Sequence, residues 1–211
     1  MAEYELTCFD KSGNAYKAAL MLELTGCDWQ ARPVDYFHGE TRSEAYREIN
    51  VMGEAPILFH GDTVLSQSGV ILDYLAEQTG QFGPDSPEER REILRWILFD
   101  NHKLTSYTAT LRFLRSIARS GETAVTEFLE NRARSAWGVL DRQLRDRDFV
   151  LGARPTIADL SLCGYLFFDG EIGIPFEEYP AIDAWRGRIR ALPGWKHPYD
   201  LMPAAPLPPA F

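Results

Sequence analysis

Apolar residues come in short strand-like runs up to residue 80 and at helical spacing beyond it, so the chain divides into two regimes. In the first regime, residues 4–9 read as a strand, and Asp10-Lys11-Ser12-Gly13-Asn14 breaks it with turn-forming residues. A helix over 15–25 follows, closed by Gly26 as a left-handed cap. Residues 29–34 predict a second strand, and residues 41–49 a short amphipathic helix capped by Thr41 or Ser43. Ile57-Leu58-Phe59 and Thr63-Val64-Leu65 flank His60-Gly61-Asp62, the pattern of a β-hairpin with a glycine in its turn. Pro56 stands where the first hairpin strand opens, a sheet position that tolerates a missing N–H, and its bond is a candidate for the cis isomer. Ser66-Gln67-Ser68-Gly69 then places short polar groups before Val70, Ile71, Tyr74 and Leu75, the buried stripe of another helix. The order βαβα then ββα predicts an α/β sandwich around one mixed sheet.

Residues 80–87, Gly-Gln-Phe-Gly-Pro-Asp-Ser-Pro, concentrate helix and strand breakers, and no strand-like alternation returns after them. We therefore expect one domain over 1–80, a linker over 81–87 and an all-helical domain over 88–211. A long helical pattern runs from residue 88 to about 120, through Ile93, Trp96, Leu104, Leu111 and Leu114. A second, over 123–147, predicts an antiparallel neighbour. Thr156-Ile157-Ala158-Asp159 reads as a capping box ahead of a nearly uncharged helix over 160–168, which must lie in the centre of the bundle. A last helix is expected over 182–192, and the proline-rich tail 203–211 is expected to be irregular.

Composition narrows the function classes. The 211 residues are 45% hydrophobic, with five Trp and twelve Phe, enough for packed cores. With 22 Lys plus Arg against 31 Asp plus Glu the net charge is −9, the wrong sign for a nucleic-acid or anionic-membrane partner. The amino-terminal residues do not read as a signal peptide and no 18-residue apolar span occurs, so a cytoplasmic protein is expected. Cys8, Cys27 and Cys163 form no paired motif, which argues against a disulfide framework or a metal site and for three small buried hydrophobes.

Four features, in this order, resemble the cytosolic glutathione transferase superfamily over nearly the whole chain. They are a strand, Ser12-x-Asn14 and a helix; Asn50-x-x-Gly53-x-Ala55-Pro56-x-Leu58; Gln67-Ser68 at a helix start; and Thr156-x-x-Asp159 in an all-helical second half. The resemblance implies a thioredoxin-like first domain, glutathione as co-substrate along its edge, no metal, and a homodimer. It implies that Ala55, before a cis Pro56, bonds the cysteine of glutathione through its backbone, and that Gln67 and Ser68 hold the γ-glutamyl carboxylate. Ser12 falls on the hydroxyl position of serine-type members, and Asn14 where bacterial members carry cysteine or asparagine. Ser-x-Asn most resembles the bacterial asparagine-bearing type, several of which favour glutathione disulfide chemistry.

The chemistry of these residues suits that expectation. A thiol is mostly protonated at neutral pH until donors or positive charge reach its sulfur. Ser12, Gly13 and Asn14 stand where a hydroxyl, an amide and helix N–H groups can face one thiolate, and the α-helix mouth at Gln67, Ser68 and Gly69 suits a carboxylate. Each group has a plainer reading as a helix cap. Glu54 departs from the family, placing negative charge beside a ligand that carries two carboxylates. His38 and Arg42 are the candidates for its glycyl carboxylate. Phe99, His102, Tyr107 and Phe113 are candidates to line a pocket for a small hydrophobic electrophile, and Asp100 is a candidate to reach the γ-glutamyl amine from a partner subunit. The function expected is activation of the glutathione thiolate for attack on such an electrophile or on glutathione disulfides. The alternatives are a non-catalytic binding or regulatory relative and a glutathione-dependent isomerase.

Overall fold

The computed structural model describes residues 2–207 and contains two compact units, one formed by residues up to 81 together with those from 193 onward, the other by residues 82–192. In the first unit, strand β1 (Tyr4–Cys8) leads through a tight loop into helix α1 (Gly13–Thr25), which Gly26 closes at φ 71°. Strand β2 (Trp29–Pro33), a 3-10 turn (Glu40–Arg42), helix α2 (Glu44–Ile49), strands β3 (Ile57–His60) and β4 (Thr63–Ser66), and helix α3 (Ser68–Thr79) follow. Ser43, not Thr41, caps α2, its hydroxyl accepting from the Tyr46 N–H. The sheet order is β2-β1-β3-β4, with β1 and β2 parallel and the other pairs antiparallel. This is the thioredoxin-like βαβαββα arrangement that the sequence predicts.

Register decides where the loops meet. Cys8 pairs with Pro33, Leu6 with Leu58, and Ile57 with Ser66. The carboxyl ends of β1, β2 and β4 and the amino end of β3 therefore share one end of the sheet. The start of α1, the loop after β2, the Ala55–Pro56 bond (which is cis) and the start of α3 all open there.

The described residues from Pro193 onward, placed by the sequence pattern with the helical domain, belong instead to the first unit. A short helix, α9 (Pro198–Leu201), carries them back. The Asp10 N–H donates to the Pro203 carbonyl (2.9 Å), and the Ala205 N–H donates to Asp10 Oδ1 (3.0 Å). Ala205 completes an apolar cluster with Phe9, Val34, Tyr46 and Ile57. The Tyr16 hydroxyl donates to the Lys196 carbonyl, and Lys11 lies over the Tyr199 ring. These contacts, not periodicity, hold the segment, which is why the pattern of the chain does not reveal it. Residues 203–207 have no regular structure; the rest of the expected irregular tail lies outside the described residues.

The second unit is helical. Ser86 caps α4 (Pro87–Phe99), with Pro87 in the first turn. The long predicted helix is present but interrupted: α4 and α5 (Thr105–Arg112) are joined by a π-helical turn (Asp100–Leu104), and a second one (Phe113–Ile117) ends the run. Helices α6 (Ala124–Leu144), α7 (Ile157–Leu162) and α8 (Pro180–Arg190) follow. Trp137 and Trp185 are fully buried, and each indole N–H finds an acceptor, Thr108 Oγ1 (3.0 Å) and Asp159 Oδ1 (2.9 Å) respectively. The predicted capping box is there: the Thr156 hydroxyl accepts from the Ala158 N–H (3.3 Å), and Asp159 Oδ2 accepts from the Thr156 N–H (2.9 Å). The helix behind it stops at Leu162, short of the predicted residue 168, and continues as buried turns.

Candidate functional site

Ser12 is the cap of α1. Its backbone is extended, and its hydroxyl oxygen accepts from the Ala15 N–H at 3.1 Å. That bond uses a lone pair and leaves the hydroxyl proton to donate elsewhere, so the capping and catalytic readings of Ser12 are compatible. Asn14, in the first turn, has its Oδ1 buried with no partner among the described residues. Cys8, just upstream, is not a competing nucleophile: burial pushes its thiol up to about 12, far from the thiolate form at neutral pH.

The segment before Pro56 is fixed by its own backbone. Asn50 Nδ2 (2.7 Å) and the Tyr46 hydroxyl (3.0 Å) both donate to the Glu54 carbonyl, and Asn50 Oδ1 accepts from the Met52 N–H. Gly53 has φ 65°, and a Cβ there would lie 2.9 Å from the Thr41 carbonyl oxygen and 3.2 Å from Arg47 Nε, so only glycine is accommodated. These contacts present the backbone of Ala55 at the end of the sheet. Asn50 and Gly53 were visible as motif positions; Tyr46, whose phenol burial raises to about 12, was not.

The mouth of α3 differs from that of α1. Gln67 is its cap residue, yet φ 69° and ψ 115° place it outside the regions that L-residues favour, and no side chain caps the helix. The plain capping role read for Ser66, Gln67 and Ser68 is therefore not what these side chains do. Gln67 Nε2 instead donates to Glu54 Oε2 (2.8 Å) and to Met52 Sδ (2.9 Å), and Ser68 is buried at the first helical position. The first N–H groups of α3 are left for another acceptor.

His38 opens on the same end of the sheet, in the loop after β2. It is exposed, and its Nδ1 lies 2.7 Å from Asp35 Oδ1, so its ring is already engaged by an acid. Arg42 and Arg47 are exposed and make no ion pair among the described residues. Arg47 escaped the sequence reading; the glycine it lies against, at a fixed offset in the motif, was the available signal. Among the described residues no cluster of three or more His, Cys, Asp or Glu side chains is arranged to hold a metal ion.

Residues 12–78 match the family model of the glutathione S-transferase N-terminal domain, and residues 105–193 that of the C-terminal domain. A solved glutathione S-transferase from Pseudomonas fluorescens is 32% identical, with a TM-score of 0.87 over 92% of this chain and 98% of that one. The chain belongs to the glutathione S-transferase superfamily. Glutathione S-transferase theta-2 of Rattus norvegicus is 27% identical over 178 residues, 80% of this chain and 73% of the relative. A further transferase family member from Pseudomonas fluorescens, solved with two glutathione bound, shares the fold at a TM-score of 0.82 and 22% identity, over 92% of this chain and 90% of that one.

In this superfamily member, one earlier expectation is corrected by burial. Asp100 does not project toward a partner: it is fully buried in the helical unit, accepting from the Thr105 hydroxyl (2.7 Å) and the Ser161 hydroxyl (2.6 Å). Phe99, Tyr107 and Phe113 are half-buried on the helical unit and His102 is exposed.

Proposed function

We propose that this protein is a glutathione-dependent transferase in which the Ser12 hydroxyl, assisted by Asn14, stabilises the glutathione thiolate. The observation that carries the reading is the state of the α1 mouth: Ser12 Oγ satisfies the Ala15 N–H and keeps its own proton for a sulfur, at a helix terminus whose partial positive charge favours an anion. The Ala55 backbone takes the cysteinyl part of the tripeptide beside Pro56, and Gln67 with Ser68 takes the γ-glutamyl end. His38 would serve the glycyl carboxylate through Nε2 while Nδ1 stays on Asp35; Arg42 and Arg47, which make no ion pair among the described residues, are the alternatives in the same region.

The thiolate then attacks a small hydrophobic electrophile, forming a carbon–sulfur bond as the leaving group departs with its electron pair, or attacks the glutathionyl sulfur of a mixed glutathione disulfide, breaking its S–S bond to form glutathione disulfide and release the other half as a thiolate. The working form is a homodimer in the cytoplasm; among the described residues no helix is long and apolar enough to cross a membrane.

Ultraviolet titration of bound glutathione tests this. Thiolate absorbance is expected at neutral pH in the wild type, with the apparent pKa rising by about one unit or more in Ser12→Ala, and less in Asn14→Ala. An unchanged titration in both variants removes the assignment of Ser12 and Asn14. Failure of the wild type to bind glutathione removes the transferase reading and favours a non-catalytic relative.

A further inference from the structure

Glu54 is the one acid at the ligand end of the sheet that the transferase reading leaves unexplained. Its backbone is held by Asn50 and Tyr46, while its exposed carboxylate accepts from Gln67 Nε2 at 2.8 Å. A carboxylate only accepts, so the side of the Gln67 amide that faces it must be the NH2 group. The second contact of that nitrogen is Met52 Sδ, also an acceptor, at 2.9 Å. Both amide protons are thus claimed within the chain. No hydrogen bond among the described residues ends on Gln67 Oε1, which is left as a pure acceptor on the residue that opens α3, a helix without a side-chain cap.

We infer that Glu54 is a positioning and specificity residue: it locks the Gln67 amide with its carbonyl oxygen outward, so that Gln67 reads an ammonium while the mouth of α3 reads a carboxylate. The inference rests on the glutathione reading and divides the γ-glutamyl end between two groups. The α-ammonium goes to Gln67 Oε1, with the Glu54 charge behind it, and the α-carboxylate goes to Ser68 and the first N–H groups of α3. The negative charge at residue 54 then favours a zwitterionic α-amino acid terminus over a plain carboxylate. With a lysine at 54 the NH2 side of Gln67 would keep only the weak Met52 Sδ acceptor, and the amide would turn over more easily.

Two ligands separate this from the broader reading: glutathione, and its desamino analogue, in which glutaryl replaces γ-glutamyl and only the α-amine is missing. Dissociation constants for both are measured by calorimetry on the wild type, Glu54→Gln and Glu54→Asp, with thermal unfolding as a check on the fold. The wild type should prefer glutathione by about tenfold or more, the scale of a hydrogen bond to a charged group. Glu54→Gln should lose most of that preference by binding glutathione more weakly while binding the desamino analogue as before, and Glu54→Asp should restore part of it. Equal wild-type affinities, or a preference undiminished in Glu54→Gln, would overturn the inference while leaving glutathione as the ligand. A wild type that binds neither peptide overturns the transferase reading itself.

Discussion

In the helical unit polar side chains are closed on one another; at the loop end of the sheet they are left open. Asp159, fully buried, accepts from the Val150 and Thr156 N–H groups, the Thr156 hydroxyl and the Trp185 indole. Asp141 accepts from the Ala181 and Ile182 N–H groups at the start of α8, and Glu130 bridges Arg115 and Arg134. The closure has exceptions, since Trp96 Nε1 and Arg186 Nε lack partners among the described residues. At the sheet end, by contrast, among the described residues no side chain caps the mouth of α3, Asn14 Oδ1 has no partner and Arg47 makes no ion pair. Unmet hydrogen-bonding capacity costs stability wherever it is buried, so its gathering around the starts of α1 and α3, where caps normally close such groups, is the local feature that the proposed ligand site would use.

The contrast can be broken from either side. The largest effect is expected from Asp159→Ala, which removes a cap and strands several buried donors: a loss of at least about 3 kcal/mol in urea unfolding, with no change in the titration of glutathione bound to the folded fraction. Burial raises the Asp159 pKa despite the four donated bonds, so the native state holds this proton more tightly than the unfolded chain. Its contribution to stability therefore weakens as pH climbs from the ordinary carboxylate range through the raised value, and Asp159→Asn should abolish that slope.

Gly53→Ala comes next, at about 1–2 kcal/mol, because φ 65° and the Thr41 carbonyl both oppose a side chain. It should weaken glutathione binding as well, having moved the segment that presents Ala55. Ser12→Ala should cost about 1 kcal/mol of cap energy, measurable by the same unfolding, a small loss beside its effect on the thiolate.

Smallest is Glu130→Gln, below about 1 kcal/mol for a partly exposed pair. Arg115, then Arg134, donate to Glu130 and hold its carboxyl below the usual range. Its stabilisation is present above the ordinary carboxylate pKa and is lost as pH falls through the lowered value, so wild type and variant should converge in acid.

The elements were legible where structure is local. The strands, the helices of the first unit, the hairpin and the Thr156–Asp159 box each leave a pattern within a few residues, because periodicity and caps are short-range constraints. Less of the candidate site could be read. Ser12, Asn14, Ala55 and Ser68 stand in motifs, but the Glu54–Gln67 bond spans 13 residues and needs the β3–β4 hairpin to bring its ends together. The two π-helical turns interrupt a hydrophobic spacing that reads as one helix, since one extra residue in a turn barely disturbs an apolar stripe. The carboxyl-terminal return was hidden for a further reason: proline-rich sequence announces that a segment is irregular and says nothing about what it packs on.

That return has a consequence for the order in which the molecule can be made. Asp10, two residues before Ser12, is clamped by a partner 195 positions later. A ribosome releases the whole helical unit before it releases Ala205, so the emerging amino-terminal unit waits for residues made after that unit to clamp Asp10. A nascent chain not yet extended through Pro203 and Ala205 therefore keeps the local cap at Ser12 but lacks both carboxyl-terminal contacts of Asp10, two residues before it.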